Sequence, residues 1–130
     1  MTNDEIREFI KQAIDENRVM LFMKGTPNQP SCGFSARTAG ALNALGVQYA
    51  ALDILPDQRI REELSTLSGW PTIPQLFVDQ ELVGGSDIVM EMFESGELAE
   101  LLGVEQPEAP AVPEQPQPAQ RPIGLENRLD

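Results

Sequence analysis

The sequence has no histidine and a single cysteine, Cys32, among its 130 residues. Those two scarcities remove much familiar chemistry. No disulfide can close within the chain. Ser-His-Asp and Cys-His catalysis both need an imidazole and are excluded. So is a structural zinc site built from Cys and His of one chain. A soft metal bound here would have to take ligands from elsewhere. Positive charge is also scarce: Lys plus Arg is 9 against 21 for Asp plus Glu, a formal charge of −12. That balance argues against nucleic acid, where a basic footprint supplies the affinity, and against an anionic membrane surface. No apolar run approaches the ~20 residues of a membrane-spanning helix. The start, "MTNDEIREFI", is acidic and mixed, unlike a secretory leader. A reduced thiol suits a cytosolic compartment. The expectation is a soluble cytoplasmic protein, with 41% hydrophobic residues to form one core.

Composition changes near Gly103. Residues 104–130 hold six of the eleven prolines, with Glu, Gln and Ala between them. Such a segment buries too little surface to offset its ordering entropy, so it reads as an extended, disordered tail. Its last ten residues, "RPIGLENRLD", regain Ile123, Leu125 and Leu129, and read as a solvated end or as a short docking motif. Residues 1–103 form the folded domain.

Within that domain the patterning alternates. Thr2 and Glu5 have capping-box spacing, and Ile6, Phe9, Ile10, Ala13 and Ile14 recur at helical period. "RVMLFMK", residues 18–24, suits a buried strand. After a Gly/Pro/Asn/Ser loop, a helix from about Cys32 to Leu45 presents Ala36, Ala39, Ala41, Leu42 and Leu45, and Gly46 closes it as a C′ residue. "VQYAALDI", residues 47–54, is a second strand. Residues 57–68 form a charged helix with Ile60, Leu64 and Leu67 inward. "PQLFVD", 74–79, and "ELVGG", 81–85, form a hairpin about Asp79-Gln80. Short helices over 87–94 and 97–102 end the domain. The order α-β-α-β-α-β-β-α-α predicts an α/β fold: a mixed sheet of four strands with helices on both faces.

Cys32 follows a strand and a loop and opens a helix. Unpaired backbone N–H groups and the positive end of the helix dipole meet there, and both favour thiolate. Lys24, at the end of the preceding strand, adds positive charge if the loop returns beside the sulfur. Free cysteines are more often small buried hydrophobes, but Pro30, Ser31 and Gly33 are not an apolar setting. Three residues on, where a dithiol protein carries its second cysteine, stands Ser35. In "GWPTIPQLF", residues 69–77, Ile73-Pro74 opens a strand, where proline is tolerated. In "VGGSDI", residues 83–88, Ser86 and Asp87 are placed to cap the next helix, and a helix start receives carboxylates well.

Cys32-Gly33-Phe34-Ser35, with Lys24-Gly25, Trp70-Pro71-Thr72-Ile73-Pro74 and Gly84-Gly85-Ser86-Asp87 in order, resembles the monothiol glutaredoxins of the CGFS type. The resemblance spans roughly residues 3–102 and implies a thioredoxin-like fold. It implies glutathione beside Cys32. Lys24 and Arg61 would meet the glycine carboxylate, although on its charged helix Arg61 otherwise reads as a solvated residue. The backbone of Ile73, before a cis-Pro74, would pair with the cysteinyl portion. The backbone of Ser86 would take the γ-glutamyl carboxylate, and Asp87 its amine. It implies further that Cys32 ligates a [2Fe–2S] cluster, with two protein thiolates and two glutathione thiolates as ligands in a homodimer. BolA-like proteins and apo iron-sulfur clients are the implied partners. The resemblance leaves a second activity open, glutathione-dependent thiol-disulfide exchange, in which Cys32 is the catalytic nucleophile. Family members often carry a cysteine where this chain has Ser86, so a disulfide from that position to Cys32 cannot form here.

Overall fold

The computed structural model describes residues 1–105. The Pro-rich stretch from 106 onward, and with it the expectation of a disordered tail and a docking motif, lies outside the described residues. The first helix, α1, runs Asn3–Glu16 and has the capping box read from Thr2 and Glu5. The chain then enters β1 (Val19–Met23), α2 (Gly33–Leu45), β2 (Ala50–Asp53) and α3 (Gln58–Ser68). It finishes with β3 (Gln75–Val78), β4 (Glu81–Gly84), α4 (Ser86–Ser95) and α5 (Glu97–Leu102). The expected order of elements is present in full.

Strand order in the four-stranded sheet is β2-β1-β3-β4. The α2 crossover makes β1 and β2 parallel, and β3 pairs antiparallel with both β1 and β4. The β3–β4 turn places Asp79 and Gln80 at φ of 51° and 71°, the left-handed pair that a two-residue hairpin needs. All five residues of β1 are buried, because both faces of the sheet are covered. Val19, Leu21 and Met23 face Leu42, Val89 and Leu98 on one side. Met20 and Phe22 face Ile10, Leu64 and Phe77 on the other. Val104, just past α5, also packs on the first of these clusters.

Several boundaries and faces differ from the sequence reading. β2 is shorter than residues 47–54 because β1 offers it only four partners, Met20 to Met23. Val47 instead packs on the core, and the Tyr49 hydroxyl donates to Asn43. Phe9 is 42% exposed, since Ile6, Ile10 and Ile14 already fill the buried stripe of α1. In α3 only Leu64 is fully buried; Ile60 and Leu67 are half-buried against it.

Phe22 has no exposed surface and meets Phe77 edge to face, with centroids 5.7 Å apart. Phe22→Ala is expected to destabilise the domain by about 3–5 kcal/mol, read as a lower midpoint in denaturant unfolding. A loss under about 1 kcal/mol would mean this core collapses around the vacancy far more readily than close packing allows.

Candidate functional site

The loop from β1 to α2 folds back on itself. Gly25 sits at φ +85° and bridges to Pro30, and the Ser31 N–H donates to the Lys24 carbonyl at 2.9 Å. Thr26 and Gln29 exchange backbone hydrogen bonds across the tip. Asp53, at the end of β2, anchors the loop by accepting from the Gly25 N–H at 2.9 Å. Cys32 is thereby returned toward Lys24, close enough for that charge to act on the sulfur, the placement the sequence reading allowed for.

Cys32 is the N-cap of α2, with its sulfur accepting from the Ser35 N–H at 3.3 Å. The first turn of α2 contains no acidic side chain, so the thiolate is the one anion set against that end of the helix. The sulfur is half-buried. That burial pushes the thiol up, but opposing contacts win and hold it below its ordinary value. They are hydrogen bonds from the Ser35 hydroxyl and from the Ser35 and Phe34 N–H groups, then the charge of Lys24.

A cleft of about 200 Å³ reaches the first turn of α2 at Phe34, two residues past Cys32. Trp70, Thr72, Ile73 and the cis-linked Pro74 line it. Gly85, Ser86 and Asp87 also line it, and Phe34, 54% exposed, joins them from the first turn of α2. Gly85 is held close: a Cβ there would stand 3.0 Å from Trp70 Nε1 and 3.4 Å from the Pro74 carbonyl.

Three of the six expected site residues, Ile73, Ser86 and Asp87, share this cleft. Cys32 joins it through Phe34, two residues along the same turn, while Lys24 acts on the sulfur and does not line the cleft. Arg61 is exposed and also outside the lining, but its guanidinium donates to the Pro71 carbonyl at 3.4 Å, beside the segment that carries Thr72 and Ile73. The capping expectation for Ser86 and Asp87 is corrected. Gly85 is the N-cap of α4, and no side chain caps that helix. Its first N–H groups therefore lack a side-chain acceptor, and the residues that carry them, Ser86 and Asp87, line the cleft.

Two residues were missed from sequence. Gln75 is fully buried, and its Nε2 donates to the carbonyls of Trp70 at 2.9 Å and Thr72 at 3.1 Å, fixing the wall before Pro74. Ser35, read only as an absent second cysteine, is also fully buried, with its hydroxyl 3.4 Å from the Cys32 sulfur.

Fold and site together define a thiol protein of the thioredoxin-like α/β class, with one cysteine capping a helix whose first turn reaches a cis-proline cleft. A glutaredoxin family model matches residues 19–83. Glutaredoxin 4 of Escherichia coli K12 is 54% identical over 95 residues, covering 73% of this chain and 83% of that protein. A probable monothiol glutaredoxin 2 of Rickettsia typhi is 47% identical over 102 residues, covering 78% of this chain and 92% of that one. Among solved structures, reduced poplar apo GrxS14 superposes with a TM-score of 0.70 at 36% identity, covering 79% of this chain and 95% of that chain. The chain belongs to the glutaredoxin family, in its monothiol branch.

Proposed function

We propose that this protein is a glutathione-dependent carrier that holds a [2Fe–2S] cluster between two copies of itself and passes it to apo-proteins. The observation that carries this reading is one half-exposed sulfur, held below its ordinary protonation range, in a chain with no other sulfur or imidazole ligand apart from methionine. A soft thiolate is the right donor for iron-sulfur. A single one leaves the remaining ligands to a second Cys32 and to two small thiols. Among the described residues no cluster of three or more Cys, His, Asp and Glu offers a competing metal site.

Glutathione fits the cleft by chemistry and by charge. Lys24, whose charge reaches the Cys32 sulfur, and Arg61, which donates to the Pro71 carbonyl, are suited to the glycine carboxylate. The backbone of Ile73, in the bend before the cis-linked Pro74, is suited to strand-like pairing with the cysteinyl portion. The uncapped start of α4 at Ser86 is suited to the γ-glutamyl carboxylate, with the Asp87 carboxylate for its amine. The cluster is cargo, and ligands that are partly small and exchangeable make it releasable. A homodimer, BolA-like proteins and apo iron-sulfur clients are the partners this reading calls for, in a cytoplasmic setting.

The second reading is thiol exchange, favoured by the same depressed thiol. Cys32 thiolate would attack the glutathione sulfur of a protein mixed disulfide, releasing the protein thiolate and forming a Cys32–glutathione disulfide. A second glutathione thiolate would then break that bond, giving glutathione disulfide and restoring Cys32. Ser35 has no sulfur for an internal disulfide, so this route depends wholly on free glutathione. Mixing cluster-loaded protein with an apo-ferredoxin, beside a reductase-coupled turnover assay, separates the two. Transfer in minutes with slow turnover is expected. Rapid turnover without transfer would reverse the order of the readings.

Lys24→Ala should weaken glutathione binding by about twofold to fivefold, the range for a partly exposed ion pair. It should also shift the alkylation profile of Cys32 to higher pH, because the charge of Lys24 favours the thiolate. An unchanged affinity by calorimetry would remove Lys24 from the glycine-carboxylate role.

A further inference from the structure

Phe9 stands exposed on α1, and β2 lies at the edge of the sheet. Among the described residues β2 pairs with β1 alone, so one side of its backbone has no strand partner. Its one charged residue, Asp53, is turned onto the Gly25 and Leu55 amides and does not guard that edge. Between α1 and β2 runs a groove of about 400 Å³, with Phe9, Ala13, Met20, Ala51 and Leu52 as its apolar lining and Glu16 among its polar lining. A second depression shares Glu16 and Asn17 with this groove and continues along Arg18, Val47 and Tyr49. The last described residues come to the same place. Arg18 donates to the Leu101 and Leu102 carbonyls, and Val104 packs on the same cluster as Val47 and Tyr49.

We propose that residues 121–130 of this chain dock in the groove between α1 and β2 and add a short strand to the free edge of β2. In "RPIGLENRLD", Ile123 and Leu125 are two apart and share one face of an extended strand. Strand addition of this kind takes affinity from the backbone and specificity from alternate side chains, here set against Phe9 and Leu52. Pro122 precedes them, and proline is tolerated at the first residue of a strand. Charge is complementary as well. Arg121 and Arg128 are two of only nine cations in a chain of net charge −12. The Glu16 carboxylate accepts from Gln12 and has no cationic partner among the described residues. Reach is ample. The fifteen residues 106–120 join Glu105 to Arg121, and a chain of that length extends to about 45 Å, against roughly 30 Å across a small domain. So tethered, the segment meets the groove at an effective concentration on the order of millimolar. Once docked it covers the Phe9 ring and closes the edge to pairing with a second copy. The groove shares no residue with the cleft at Phe34, so docking leaves that cleft open.

The test is NMR of the full chain without cluster or glutathione, for the unaltered protein, Leu125→Asp and Phe9→Gln. In the unaltered protein, NOEs are expected between the Phe9 ring and the Ile123 and Leu125 methyl groups, and they should persist on dilution because the contact is within one chain. Leu125→Asp should remove them and lower the docked-to-undocked ratio by roughly tenfold or more, the effect of losing one buried leucine. It should also shift the Ala51 and Leu52 amides and leave Val89 and Leu98, in the cluster on the other face of the sheet, in place. Phe9→Gln, at an exposed position, should release the segment from the other side and move its amides to the same undocked positions. Absent NOEs, with Ala51 and Leu52 unmoved by Leu125→Asp, overturn the proposal. NOEs that vanish on dilution overturn it too, and assign the groove to the segment of a second copy. Groove amides that shift with concentration but ignore Leu125→Asp overturn it in a third way, by pairing two copies edge to edge.

Discussion

Cys32→Ser is expected to lose the cluster completely and to run as a monomer, with its unfolding midpoint close to that of the unaltered protein. This substitution separates the sulfur's capping role from its proposed role as an iron ligand. The sulfur caps α2 by accepting from the Ser35 N–H. Serine is among the preferred N-cap residues, so that role passes to the hydroxyl at a cost of a few tenths of a kcal/mol at most. Soft ligation of iron does not pass on, because a neutral hydroxyl is neither the charge nor the donor that iron-sulfur chemistry selects. No other cysteine or histidine exists to substitute. The same change should abolish glutathione exchange, so its value lies in pairing loss of the cluster with an intact fold. Absorbance after anaerobic reconstitution, mass in solution and a thermal melt provide the readouts. A Cys32→Ser protein that still carried a full cluster would remove the sulfur from the ligand set.

The second large effect is expected at Gly25. Its φ of +85° is a conformation that L side chains rarely adopt, costing roughly 1–2 kcal/mol for a residue with a Cβ. Space is the heavier constraint. A Cβ at Gly25 would stand 2.5 Å from the Gln29 carbonyl oxygen and 2.7 Å from the Ser31 N–H nitrogen, both backbone atoms that cannot rotate away. The loop must therefore open, and the Ser31-to-Lys24 hydrogen bond that returns Cys32 to Lys24 goes with it. Gly25→Ala should cost about 3 kcal/mol in total and reduce glutathione affinity at least tenfold, roughly the reach of about 1.4 kcal/mol. Denaturant unfolding and calorimetry check the two parts. Unfolding and binding both unchanged would mean the loop is far softer than its hydrogen bonds suggest.

Most of the fold was legible because it rests on local signals. The isoleucines of α1, the continuous apolar run of β1 and the Asp79-Gln80 turn each point to one element without help from the rest of the chain. Gly46 does the same for the end of α2, where it sits at φ 71°. What sequence missed depends on neighbours in space. The length of β2 is set by how much of β1 is left to pair with, and Phe9 is exposed because other residues fill its face. Gln75 reads as one polar residue in an apolar strand, and only the folded loop shows that its amide holds the Trp70 and Thr72 carbonyls. Ser86 and Asp87 have capping chemistry, yet the helix already begins at Ser86, so both lie inside its first turn. The site was legible in its motif residues and illegible in their supports. Cys32, Ile73, Ser86 and Asp87 stand out by type and context, while Ser35 was visible only as the thiol it replaces.

The most direct measurement is anaerobic reconstitution with iron and sulfide, run with and without glutathione and read by absorbance and by mass in solution. A shared cluster predicts a [2Fe–2S] spectrum on a dimer that forms only when glutathione is present and disperses when it is removed. A cluster on a monomer, or one that forms equally well without glutathione, would contradict it.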